Sequence, residues 1–265
     1  MHIRKEVFIL YGFVRKADNF VDQIPQDTKG FHNFKEEYHK ARDGKLSGDV
    51  VIDSFVELSH RNQFKDEWAD AFLHSMEMDL TKKTYQTLDE TLEYIYGSAE
   101  VIGLFMSKIL GLKNLALPYG QSLGKAMQYI NFIRDIAEDN ELGRTYFPAD
   151  DLDEFGLESL KYTYTKHHPE AFSDFINCQL QRYCEWQEYA EEGYPYIPRR
   201  YLISIKTAAE MYNWTAEQIA KHPFVVYDWK VKPMITKIMI TVLSNLIDTM
   251  GTKFSKSFCY GPNRV

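Results

Sequence analysis

The sequence predicts an all-α protein, one domain spanning residues 1–265, built as roughly a dozen helices around a central cavity. Three observations carry this expectation. Apolar residues recur at spacings of three and four, as in Val51, Phe55 and Leu58 or in Trp68 and Phe72. Strand-like alternation never persists beyond a few residues, and no repeat of solenoid period occurs. Finally, two Asp-x-x-x-Asp pairs, Asp18/Asp22 and Asp135/Asp139, lie among apolar neighbours, where solvated surface acids are seldom found.

Taken in order, residues 3–24 read as one helix ended by Pro25, and 26–30 as a turn. Phe31–Arg42 is helical and closed by Asp43-Gly44-Lys45. Val50–Arg61 and Lys65–Leu73 follow, then a less regular stretch over 75–85. The next helix carries Tyr94-Ile95-Tyr96-Gly97 and runs toward Gly103. Lys113–Pro118 connects to a central helix through Gln128–Asp139, buried nearly all round by Ile130, Phe132, Ile133 and Ile136. Gly143 ends it and Pro148 bars its continuation. Asp150 and Asp151 are N-cap residues for a short helix that Gly156 stops. A long helix spans 172–192, Tyr194–Pro198 breaks the chain, and two further helices cover 200–212 and 215–221. The last helix is expected over 232–250, with a frayed tail from Gly251.

The chemistry resides in the acidic pairs. On a helix, Asn131, Asp135 and Glu138 share a face, with Asp139 one turn beyond Asp135. Buried acids without a partner cost several kcal/mol each, so a cation must meet them. Hard oxygen ligands beside Arg134 suit Mg²⁺ carrying a phosphate ester. Near the start, Asp18 and Asp22 stand four apart with Arg15 one turn earlier, so two acidic helix faces can clamp one ion cluster. Taken singly, an Asp-x-x-x-Asp pair reads as a solvated helix face; two such pairs in apolar surroundings do not.

Composition excludes several classes. A net charge of −7 with no basic stripe argues against a nucleic-acid partner. No Gly-x-Gly-x-x-Gly or Walker sequence occurs. Cys178, Cys184 and Cys259 have no metal-ligand spacing and form no even framework, as expected for a reducing, cytoplasmic compartment. Met1-His2-Ile3-Arg4-Lys5-Glu6 is charged and no long apolar run follows, so no secretory signal is expected. Lys237, Asn245 and Asp248 interrupt the apolar stretch 234–250, so any membrane contact is expected to be peripheral. The 18 Tyr and 17 Phe serve mainly as core, although aromatic faces also suit the wall of a carbocation-stabilising tunnel.

The two acidic segments resemble the aspartate-rich motifs of the squalene/phytoene synthase family. One motif is matched by Tyr11, Phe13, Arg15, Asp18 and Asp22, the other by Asn131, Arg134, Asp135, Glu138 and Asp139, followed by Gly143, Arg144, Tyr146 and Pro148. The likeness covers the chain from about Tyr11 to Tyr212. It implies the isoprenoid-synthase helical bundle and a prenyl transferase that couples two allylic diphosphates head to head. The leading expectation is phytoene from two geranylgeranyl diphosphates, as in bacterial and archaeal members. Squalene or dehydrosqualene from two farnesyl diphosphates is the close rival, and NADPH would be needed only for squalene. The resemblance implies Mg²⁺, with Mn²⁺ as an alternative, on Asp18, Asp22, Asn131, Asp135 and Asp139. Arg15 and Arg134 would hold phosphate oxygens, unless they merely pair with the adjacent acids. Tyr11, Gln128 and Tyr212 would contact substrate, and Tyr94 would face the reacting centre. Glu138 is assigned either to the metal through water or to Arg134.

Three departures stand out. The family's usual first helix, with its aromatic-serine segment, is expected to be missing, since Met1 lies fourteen residues before Arg15. Glu100 replaces a common glycine and is expected to narrow or polarise the pocket. Phe224 stands where a basic residue is common, with Lys230 and Lys232 as substitutes. A non-catalytic family member acting as an assembly factor is the rival from another class, disfavoured because all four motif aspartates are present.

Overall fold

The computed structural model describes residues 2–250, and in them helices account for all the regular structure apart from an isolated parallel bridge between Tyr85 and Pro148. The tail from Gly251 lies outside the described residues. Helices α1 (His2–Asp22), α2 (Thr28–Arg42), α3 (Val50–Asn62) and α4 (Asp66–Thr81) pack around a shared core of Phe13, Phe34, Tyr38, Phe55 and Phe72. Phe13 and Phe55 stack at 3.8 Å between ring centroids. Asp27 and Asp49 accept the capping bonds of α2 and α3 from Gly30 and Val51.

Helix α5 (Leu88–Ile95) passes through a π-helical turn at Tyr96–Glu100 into α6 (Val101–Ile109). Two glycines permit the tight packing here. A Cβ on Gly97 would collide with the backbone of Ala71 in α4, and one on Gly103 with the backbone of Gly120. Helix α7 (Leu117–Arg134) runs through the middle, against α6, the π turn, α11 (Pro169–Glu191) and α12 (Arg199–Lys221). Between α7 and α11 lie α8 (Ile136–Glu141), α9 (Ala149–Glu154) and α10 (Tyr162–Thr165); α13 (Val225–Asp228) and α14 (Ile235–Met250) close the order.

Five expectations are corrected. The central helix is not continuous: Asp135, at φ −99° and ψ 14°, separates α7 from α8. The stretch after Leu73 is regular helix as far as Thr81, because Ser75, Met76, Met78 and Asp79 are buried and Ser75 donates to the Tyr94 carbonyl at 2.9 Å. Residues 200–212 and 215–221 belong to one helix. The polar residues between them are satisfied there, with Tyr183 donating to Asn213 at 2.6 Å and Thr215 to the Met211 carbonyl at 3.1 Å. Asp150 and Asp151 do not cap α9; Pro148 occupies that position. Asp151 instead accepts Arg182 from α11 at 2.7 Å, and Arg182 also donates to the Tyr129 hydroxyl of α7 at 2.7 Å. The last helix begins at Ile235, after Pro233. Among the described residues no helix is long and apolar enough to cross a membrane.

Candidate active site: an acidic cavity joined to an apolar one

A cavity of about 570 Å³ opens between α1, the end of α4 and the α7–α8 break. Its lining includes Asp18, Asp22, Asp135, Asp139, Asn131 and Arg134, so the two acidic motifs do face one space. A second, mainly apolar cavity of about 750 Å³ lies between the π turn, α6, α7 and α12, with Tyr11 and Tyr212 in its wall. Gln128 and Asn131 line both cavities and mark their junction. Tyr94 lines the acidic side.

The break at Asp135 shapes the second motif. Arg134 grips the carboxylate of its chain neighbour with both nitrogens, Nε to Oδ1 at 2.7 Å and Nη2 to Oδ2 at 2.6 Å. Lys230 approaches the same carboxylate at 3.2 Å and also pairs with Glu138. In the first motif Arg15 Nη1 reaches Asp18 Oδ2 at 2.7 Å, and Asp22 faces Arg144 at 3.9 Å. Both motif arginines thus pair with the adjacent acids in this structure, and Glu138 engages Lys230 rather than Arg134.

Burial and mutual repulsion set the protonation of these acids. Burial first, then Asp135 beside it, pushes the Asp139 carboxyl up to about 7. Asp18 is likewise raised, by burial and by Asp22, against the pull of Arg15. Such a crowd of reluctant anions is a site poised for a cation. The Oδ1 of Asn131 is buried without a hydrogen-bond partner in the wall of this cavity, as a waiting neutral ligand would be. Among the described residues no three His, Cys, Asp or Glu side chains form a metal cage by themselves. The donors come as one pair from each motif, so an ion here would need further oxygens from what it carries. On this test the residues fit a hard divalent cation that carries an anionic ligand.

The sequence places Asp79 in a stretch that resembles the family's Met-x-x-Asp segment, without a chemical role. It is buried at the floor of the acidic cavity, accepting the Tyr94 hydroxyl at 2.8 Å and the Tyr146 hydroxyl at 3.1 Å. Burial raises its pKa to about 6 even against those two hydrogen bonds and the Arg144 charge. Tyr146 stacks on Phe132 at 4.4 Å and lies 5.1 Å from the Tyr94 ring, which makes an aromatic wall. The loop bearing Arg144 and Tyr146 is fixed by Thr145 N–H to the Lys83 carbonyl and by Thr91 to the Tyr146 carbonyl, at 2.8 and 2.9 Å. The signal within the sequence was an apolar-flanked Asp on α4; its partners 15 and 67 residues away were not legible.

Glu100, expected in the pocket wall, lines neither cavity. It turns to α7, pairs with Lys125 at 2.9 Å and accepts Gln121 at 2.5 Å. Phe224 packs on Phe172 at 4.8 Å, and of the two lysines proposed in its stead Lys230 reaches the acidic motif.

A helical bundle with an acidic cavity opening into an apolar one defines the class of the helical isoprenoid synthases. Superposition agrees: a solved dehydrosqualene synthase in complex with ligand shares this fold with a TM-score of 0.80, at 20% identity, over 94% of this chain and 88% of that one. The squalene/phytoene synthase family model matches residues 1–236, and the chain belongs to that family of prenyl transferases. A 15-cis-phytoene synthase of Enterobacter agglomerans is 30% identical over 224 residues, 79% of this chain and 75% of the relative. One from Pantoea ananas is 28% identical over 225 residues, 79% and 72% respectively.

Proposed function

We propose that this chain joins two geranylgeranyl diphosphates head to head, giving phytoene and releasing diphosphate, with Mg²⁺ as its metal. The observation that carries the reading is the junction at Gln128 and Asn131, where a cavity fit for a metal-borne diphosphate opens into one fit for a polyprenyl chain. The phytoene synthase relatives support the longer substrate.

In the first half-reaction the C1–O bond of one molecule breaks, and the C2–C3 double bond of the other attacks the allylic cation; loss of a proton gives a cyclopropylcarbinyl diphosphate. In the second, that diphosphate leaves, the ring rearranges, and a further proton is lost. Asp18, Asp22, Asp135, Asp139 and Asn131 would hold Mg²⁺, which would supply neutralisation of the departing diphosphate. Arg15 and Arg134 turn from their carboxylates to phosphate oxygens, for which the planar guanidinium is well shaped. Gln128 and Tyr212 position the substrate near the junction, and Tyr11 does so at the mouth. Tyr94 presents its ring to the cation, its hydroxyl held by Asp79.

Incubation with geranylgeranyl or farnesyl diphosphate and Mg²⁺, with and without NADPH, followed by mass analysis of extracted hydrocarbon, tests the reading. A C40 product without NADPH is expected. A C30 product moves the chain to the squalene and dehydrosqualene branch, the reading that the likeness to the dehydrosqualene synthase fold favours. No hydrocarbon from either substrate would overturn both.

A further inference from the structure

The apolar cavity runs lengthwise along α7. Ala116, just before that helix, and Tyr119, Leu123, Met127 and Asn131 upon it all face the cavity at helical spacing. One edge of α7 therefore grades the cavity from its junction with the acidic side to its far end. Counting back from Asn131 by the rise per residue puts Tyr119 about 18 Å from the junction and Ala116 about 22 Å from it. An extended isoprene unit is roughly as long as a helical turn of 5.4 Å. A chain whose diphosphate lies in the acidic cavity thus carries its third unit up to Tyr119 and its fourth past it, toward Leu110, Leu112 and Ala116.

The passage beside Tyr119 is kept open by a residue without a side chain. Gly193, just past α11, has a φ of −76°, so its backbone does not require glycine. The space around it does. A Cβ there would lie 2.4 Å from the Cβ of Tyr119 and 2.9 Å from its Cγ, the rigid root of that side chain rather than its tip. Seated against Gly193, the Tyr119 ring stacks on Tyr196 with centroids 5.7 Å apart and tilts against Tyr189 at 5.1 Å. Both partners are exposed, so the ring leans toward the surface while its stem stays in the cavity wall. We infer that Tyr119 and Gly193 together gauge the length of the apolar cavity, admitting the fourth isoprene unit of a geranylgeranyl chain and stopping a fifth. The inference rests on the reading of this cavity as the prenyl-chain site. A methyl group on residue 193 would drive the stem of Tyr119 from its seat and close the passage, leaving room for three units. Loss of the Tyr119 ring would open space beneath Tyr189 and Tyr196 for a fifth.

The test is titration calorimetry of the full chain with Mg²⁺ and the inert thiolodiphosphate analogues of the C15, C20 and C25 prenyl diphosphates, which bind without turnover. The parent is expected to bind the C20 analogue about tenfold more tightly than the C15 one, and to gain nothing from C25. Gly193→Ala is expected to lose the C20 preference and keep its C15 affinity. Tyr119→Ala is expected to bind C25 about tenfold more tightly than the parent does. Combining the two changes removes the collision and is expected to restore C20 binding, a rescue that a folding defect at Gly193 would not show. The same order of affinities in the parent and both single variants overturns the inference, as does failure of the parent to bind any analogue. Hydrocarbon formation is read separately. Product from geranylgeranyl diphosphate with an unmoved length limit overturns the gauge alone, and the expected limits without any hydrocarbon overturn the proposed reaction alone.

Discussion

On α1, Asp18 and Asp22 ride an unbroken helix with side chains 30% and 54% exposed, while the matching pair on α7–α8 brackets a helix break, with Asp135 only 19% exposed. The spacing is the same, but the electrostatic setting is not. Asp18 pairs with the exposed side chain of Arg15 alone, whereas Asp135 is held from both sides by Arg134 and Lys230. The first motif holds one exposed arginine, and the second is closed on two cations. Equal motifs on paper therefore make unequal demands: the first must release Arg15 from Asp18, and the second must release both Arg134 and Lys230 from Asp135.

The largest effects should abolish that common ground. Asp18→Ala and Asp135→Ala are each expected to lower turnover by a factor of about 10³ or more, measured as hydrocarbon formed; activity surviving either change would remove that motif from the metal site. Their stabilities should part company. Asp135→Ala leaves Arg134 and Lys230 facing each other and is expected to cost roughly 1–3 kcal/mol in denaturant unfolding. Asp18→Ala should stay within about 0.5 kcal/mol of the parent. Equal losses would mean that the contrast drawn between the motifs is wrong.

Asp79→Ala deprives two buried tyrosine hydroxyls of their acceptor and is expected to destabilise by about 2–4 kcal/mol. Asp79→Asn keeps an acceptor and should lose much less stability while still altering the position of Tyr94, seen as a lower kcat at unchanged helicity.

A pH series probes the crowded second motif. The unfolded chain releases the Asp139 proton near 3.8, but the folded chain holds it to about 7. Across that window the folded state binds more protons, so stability falls as pH rises. The Tm of chelator-treated protein is expected to drop between pH 5 and pH 7.5, and Asp139→Asn should flatten the slope. An unaltered slope in that variant would place the titration elsewhere. The smallest effect concerns Lys230. Its removal in Lys230→Met frees Asp135 from one competitor, so calorimetry should find Mg²⁺ binding strengthened about threefold to tenfold without substrate; weaker binding would show that the lysine holds the site together.

Much of this could be read in the chain. The acidic pairs were legible because aspartates at helical spacing inside apolar runs have few other uses, and the helix ends at Arg42, Gly143 and Gly156 were marked by turn residues. What could not be read depends on partners distant in sequence. Asn213 looks like a break because Asn favours caps, and only Tyr183 on another helix makes it acceptable within α12. Asp135 looks like the middle of a helix, and nothing local announces that its carboxylate is pinned from two sides. Asp79 becomes a feature of the site only when Tyr94 and Tyr146 arrive from elsewhere in the fold.

The π turn at Tyr96–Glu100 carries a consequence for how such a chain can change over time. A π turn is an α-helix with one residue too many, and each residue of a helix is worth a rotation of about 100°. The π turn absorbs its extra residue locally, so deleting one residue near Ser98 would relax it to ordinary helix while the positions beyond it kept their angles. Gly103 would stay over Gly120, and Ile102 and Met106 would still look into the apolar cavity. A residue lost further along α6, where no such turn takes up the change, would instead swing every later position by about 100°. The same lost codon thus spares the cavity wall at the π turn and exchanges it a turn later.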